Sequence, residues 1–152
     1  MSPSDVEDAI ITTLKSAAED SAYYVASYEG RAGSDEELAS WIAGVQLPAV
    51  AVFYAGSQYD PNATDELRQT SMPEASYVVW VIHDRLRGYE TAMKETGGVH
   101  EILNIIFKIL QGSNVGVAIE PLSIMDEIPV GAETLSGRVI WQQTYQTSFV
   151  RT

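Results

Sequence analysis

The sequence contains no cysteine. Disulfides, thiolate-held metals, iron–sulfur clusters and a cysteine nucleophile are excluded together. Histidine is almost as scarce, with only His83 and His100, and the chain supplies no set of three or four ligands at the spacing a zinc centre needs. Bases are few: 9 Lys and Arg stand against 21 Asp and Glu, a net charge of −12 and a pI near 4.4. A protein that grips nucleic acid without regard to sequence does so by neutralising phosphates with Lys and Arg. Stable nucleic-acid binding is therefore not expected, and the acidic balance reads first as a well-solvated surface.

Long apolar runs are missing too. The two longest, Val78 to Ile82 and Ile102 to Leu110, fall far short of the ~20 residues that span a bilayer. The opening MSPSDVEDAIITTLK has no basic segment and carries Asp5, Glu7 and Asp8, so no secretory signal is expected. What the chain does have is 152 residues that are 45% hydrophobic, with three Trp, eight Tyr and three Phe. That composition predicts one soluble globular domain over residues 1–152, with a core of its own.

The pattern along the chain predicts the elements. Ser4 with Glu7 makes a capping box, and Val6, Ile10, Leu14 and Ala17 recur at helical spacing, so residues 4–18 read as an amphipathic helix. AYYVASYEG reads as a strand over about 22–29. In SDEELASWIAG, Ser34 caps a short helix that Gly44 closes, with Leu38, Trp41 and Ile42 turned inward. LPAVAVFYAGS sets Val50, Val52 and Tyr54 against Ala49, Ala51 and Phe53, the signature of a strand buried on both faces.

Residues 56–75 break the period at Gly56, Pro61, Asn62 and Pro73 and read as a long loop, with an extended piece at 66–72. A strand over 76–83 and a polar stretch to Gly98 follow. GVHEILNIIFKILQG is a helix with a broad apolar face, closed by Gly112. VAIEPLSIMDEI reads as a strand interrupted at Pro121, a position tolerated at an edge or bulge. RVIWQQTYQTSF alternates Val139, Trp141, Gln143, Tyr145, Thr147 and Phe149. It reads as a strand able to pair with its predecessor across Gly131 to Gly137. Helices and strands do not alternate strictly, so the fold class is α+β, a mixed or antiparallel sheet with two to three helices packed on it.

Catalytic patterns are wanting. His83 and His100 are each followed by a carboxylate, Asp84 and Glu101, but adjacent side chains diverge on a strand and do not face each other on a helix. His100 falls in the first turn of its helix. There is no GxSxG elbow, no SxxK, no P-loop and no dinucleotide fingerprint. The doublets Glu36–Glu37 and Asp126–Glu127 read as solvated faces, and DPNATDE lacks the glycine and distal glutamate of a calcium loop. No catalytic residue, cofactor or metal is assigned. Arg85, Arg87 and Tyr89 form a basic and aromatic group in a chain poor in base, and these types are enriched among interface anchors. They and Tyr59 in the long loop are the candidates for protein contact.

The order of VEDAIITTLK, LPAVAVFYAG, YVVWVIHDRLRG, GVHEILNIIFKILQG and the closing QTYQTSFV resembles the small tail-completion family of Mu-like contractile-tailed phages and prophages. The resemblance spans nearly the whole chain. It implies a tail terminator, a structural virion protein without catalytic residues that forms a ring, hexameric in related terminators, on the finished tail. Tail tube and sheath proteins and the head's neck proteins would be its partners, and DNA would only pass through the lumen. Assembly would take place in the host cytoplasm. The alternatives are a neck or tail adaptor that closes no ring, or an enzyme using His83 and Asp84.

Overall fold

The computed structural model describes residues 1–18, 23–26, 35–59, 73–84, 94, 98–130 and 138–151. In chain order the elements are α1 (Pro3–Ala17), β1 (Tyr24–Ala26), α2 (Asp35–Gly44), β2 (Ala49–Gln58), β3 (Glu74–Asp84), α3 (Val99–Leu110), β4 (Ser123–Val130) and β5 (Arg138–Ser148). The strands make one sheet in the order β1-β2-β3-β5-β4. β1 runs parallel to β2, and the other three pairings are antiparallel. The sheet is mixed, and the class is α+β as the pattern implied.

Both faces of the sheet centre are covered. On one face Val6, Ile10 and Leu14 of α1 and Val99, Ile102, Leu103, Ile106 and Leu110 of α3 pack on Val50, Val52, Tyr77, Val79, Val81, Tyr145 and Phe149. On the other, Ile42 of α2 packs with Ala49, Ala51, Val78, Trp80, Ile82 and Ile140. The alternation read in LPAVAVFYAGS thus sorts its side chains to two separate cores. Full burial of each large aliphatic contributes about 1.5–3 kcal/mol. Truncating one such as Ile10, which is fully buried, to Ala costs about 2–5 kcal/mol.

The start of α1 differs from expectation. Ser2, not Ser4, is the N-cap: its Oγ accepts from the Asp5 N–H at 3.3 Å, and Asp5 Oδ2 accepts from the Ser2 N–H at 2.7 Å. Pro3 decides this, because its fixed φ and missing N–H suit the first helical position. Glu7 is thereby released for a longer reach, and its Oε2 accepts the Tyr54 N–H of β2 at 2.8 Å. That bond falls where the β2–β3 register breaks, between Tyr54 and Gly56.

Three other expectations shift. Gly44 is the last helical residue of α2 and not a left-handed stop beyond it. The 56–75 loop is shorter at both ends, since Gly56↔Ser76, Ser57↔Ala75 and Gln58↔Glu74 pair in the sheet; Gly56 absorbs the break at φ 110°. Residues 117–122 are not strand. The Ser113 Oγ and Asn114 Oδ1 accept from the Val115 and Gly116 N–H groups, a local competition that favours turns over ladders. β4 begins only at Ser123, and it does run along an edge with a break between Ile124 and Asp126. The extended piece at 66–72 lies outside the described residues.

Candidate functional site

The end of β3 joins a histidine to an aspartate without making a dyad. His83 stands opposite Val139 and Asp84 opposite Arg138. The Asp84 N–H donates to His83 Nδ1 at 2.8 Å, so that ring nitrogen is an acceptor spent on its own backbone. The Asp84 carboxylate lies 3.9 Å from the Arg138 guanidinium, which also donates to the Ala43 carbonyl at 3.4 Å. The junction ties β3, β5 and the end of α2 together. Its chemistry is that of a strand exit.

Of the four interface candidates, Arg85, Arg87 and Tyr89 lie outside the described residues. Tyr59 is 39% exposed just past β2, and its hydroxyl accepts from Arg151 Nη1 at 2.8 Å. That hydrogen bond, with the phenol's charge behind it, holds the Arg151 guanidinium above its ordinary pKa. The segment after the first core strand and the last residues of the chain are thus clasped at one surface point.

A second surface was not anticipated. Between α3 and β4 runs a groove of about 480 Å³ lined by His100, Leu103, Asn104, Phe107, Ile124 and Glu127. The first four recur at helical spacing on one stripe of α3, and the other two come from the edge strand. The floor is fixed from beneath by Gln143, fully buried. Its Nε2 donates to the Leu103 carbonyl at 3.0 Å and to Glu127 Oε1 at 2.8 Å, and its Oε1 accepts from the Tyr145 hydroxyl at 2.8 Å. Burial first, and then the Glu127 charge, raise the Tyr145 pKa, so the phenol stays a donor. In the groove wall Phe107 is 38% exposed, and elsewhere on β4 Ile128 is 47% and Met125 56% exposed.

No reacting group is assembled there. Among the described residues no three His, Asp or Glu side chains come together as a metal site requires, and no helix is long and apolar enough to cross a membrane. A groove of mixed apolar and carboxylate lining suits contact with another protein.

The family described as Bacteriophage Mu, Gp37 matches residues 3–149. The chain belongs to that family. The resemblance to Mu-like phages, carried by the order of five segments, therefore holds. Among solved structures, this Mu Gp37 family member is similar to a chain from the virion of a native gene transfer agent particle. Sequence identity is 14%, the TM-score is 0.54, and 94% of this chain and 92% of that one are covered. At that identity the likeness is one of fold, and it extends over both chains nearly end to end. No curated protein matches.

Sequence reasoning missed the groove because its two walls are distant in the chain. The signal present was the exposed stripe His100, Asn104 and Phe107 on the polar flank of an otherwise apolar helix. Only the placing of β4 outside β5 sets Glu127 and Ile124 beside it.

Proposed function

We propose that this chain is a structural virion protein of a Mu-like phage or prophage, acting as the tail terminator. It caps the finished tail tube and sheath, closes as a ring, and offers a surface to the neck proteins of the head. The observation that carries the reading is membership of the Mu Gp37 family over residues 3–149. The likeness in fold to a chain from the virion of a gene transfer agent particle supports it.

Two physical features agree. The groove and the Tyr59–Arg151 point are surfaces for contact, and neither contains a set of reacting groups. A net charge of −12 suits a passage through which DNA slides without adhering, since like charges repel at short range. His83 and Asp84 carry no chemical step in this reading. Their place is the strand junction with Arg138.

Electron microscopy of lysates lacking this protein tests the proposal. Overlong tails, or tails that never join heads, are expected, and supplying the protein in trans restores virions. Normal tails and infectious particles without it would overturn the terminator role. If the protein forms a ring whose inner surface is neutral or basic, the charge argument fails on its own.

A further inference from the structure

We propose that the α3–β4 groove receives a basic segment of a different protein of the particle, which seats an apolar side chain against Phe107 and Ile124 and a lysine or arginine on Glu127. The proposal rests on the virion reading above and adds the chemistry of one partner.

The groove is short and polarised. His100, Leu103, Asn104 and Phe107 extend along about 10 Å of helix, room for one or two side chains of a visiting segment. One end is closed by Gln111, whose N–H donates to the Phe107 carbonyl at 2.9 Å and whose Oε1 accepts the Ile124 N–H at 2.7 Å. Phe107 and Ile124 therefore make the apolar end. Glu127 belongs to the other, because Gln143 donates both to it and to the Leu103 carbonyl. Leu103 is one turn of α3 from Phe107, about 6 Å.

The carboxylate is aimed outward and lacks a countercharge. Its Oε1 is fixed from beneath by the buried Gln143 amide at 2.8 Å, and Oε2 has no partner among the described residues. None of the described bases, Lys15, Lys94, Lys108, Arg138 and Arg151, lines the groove. A carboxylate beside apolar surface is matched by a cation whose carbon stem lies on that surface. The spacing asks for an apolar residue and a base about two to four residues apart on the partner, in a strand or a helix respectively.

Two other occupants are disfavoured. An added strand needs a row of open backbone groups along the sheet edge. On β4 the Ile124 N–H is taken by Gln111, Pro129 has none, and the register breaks between Ile124 and Asp126. A second copy would bring 21 acids against 9 bases to a carboxylate-lined groove, and like charge opposes such contact. The ring then closes through other surfaces.

The absence of cysteine gives a clean test. Full-length Asn104→Cys, altered at an exposed groove position, is labelled with benzophenone maleimide, added to lysates lacking the protein, and irradiated once particles have assembled. Mass spectrometry is expected to find it linked to a different particle protein, at a peptide where a lysine or arginine lies near an aliphatic or aromatic residue. Without any label, Glu127→Gln, which keeps an acceptor for Gln143, and Glu127→Lys are each expected to lower incorporation at least about tenfold. Changing the linked base to Glu restores the Glu127→Lys variant, which a folding defect would not allow. Asp8→Lys, an exposed change of the same sign on α1, is expected to stay within about twofold of the parent. A link only to a second copy, to a peptide without a base, or to nothing overturns the proposal and leaves the virion reading standing. So does incorporation indifferent to both changes at Glu127, and these unlabelled variants decide the matter if the label itself blocks entry. A parent protein that never enters particles overturns both.

Discussion

Gln143 of β5 donates from Nε2 to the Leu103 carbonyl of α3 at 3.0 Å, a side-chain bond made inside the interface between the sheet and its helix. The same amide holds Glu127 at the surface and takes the Tyr145 hydroxyl within the core. One buried residue therefore couples the core to the groove.

Replacing Gln143 by Leu strands the Tyr145 hydroxyl, and the expected loss of stability is about 1–3 kcal/mol, the cost of an unsatisfied buried donor. Adding Tyr145→Phe removes that donor. The double variant is then expected to lose less than the sum of the singles, with a coupling of about 0.5–3 kcal/mol measured by urea unfolding. Strict additivity would mean that the Tyr145–Gln143 bond contributes nothing.

The two tryptophans on the central strands should respond unequally to the same change. Trp80 Nε1 donates to Gln142 Oε1 at 3.0 Å, and its ring meets Phe53 edge-on at 5.0 Å. The buried Nε1 of Trp141 has no partner among the described residues, and its ring meets His100 edge-on at 6.2 Å. Trp80→Phe loses a satisfied bond and leaves the Gln142 amide short of a donor, an expected cost of about 1–2 kcal/mol. Trp141→Phe removes an orphan donor and is expected to stay within about 1 kcal/mol of the parent. Thermal unfolding of the pair checks the ranking, and a costlier change at Trp141 would refute it.

Periodicity made much of this fold legible. The two-sided burial of Ala49 to Val52, the alternating row from Val139 to Phe149, and the apolar face of α3 are local repeats that a strand or helix must sort by geometry. What escaped was set by competition or by distance. Ser2 and Ser4 both suit a cap, and Pro3 chooses between them. Pro121 suggested an interrupted strand, yet Ser113 and Asn114 hold turns before it, while Pro129 lies inside the strand. The groove needed the non-sequential order β3-β5-β4, which no window of sequence contains. The diverging side chains of His83 and Asp84 were legible, because neighbours on a strand face opposite ways.

Two glycines separate backbone strain from space. A Cβ at Gly56 or at Gly44 would meet nothing within 4 Å, but Gly56 has φ +110° and Gly44 has no such angle. Gly56→Ala is expected to cost about 1–3 kcal/mol from conformation alone. It should also loosen the pairing of Ser57 and Gln58, seen as faster amide exchange at the end of β2. Gly44→Ala, in a helix, is expected to stabilise by up to about 1 kcal/mol. Equal effects at the two sites would contradict the bulge assignment.

Alkaline stability should turn on Tyr77 and Tyr145. Both pKa values are raised from the ordinary 10.0. Burial is the main cause in each case, followed for Tyr77 by the charges of Tyr54 and Glu7, and for Tyr145 by that of Glu127. Each phenol is a donor in the fold, to the Pro3 carbonyl at 3.0 Å and to Gln143 Oε1 at 2.8 Å, and an ionised phenolate cannot donate. The folded chain therefore keeps protons that the unfolded chain releases. Their contribution to stability is complete below pH 10 and declines as the pH rises from there through the raised values. A fall in Tm above pH 10 is expected, shallower in Tyr77→Phe and in Tyr145→Phe than in the parent. Absorbance titration of phenolate should show these two ionising only as the fold opens. Smooth ionisation of all tyrosines near pH 10 with the fold intact would refute the burial argument.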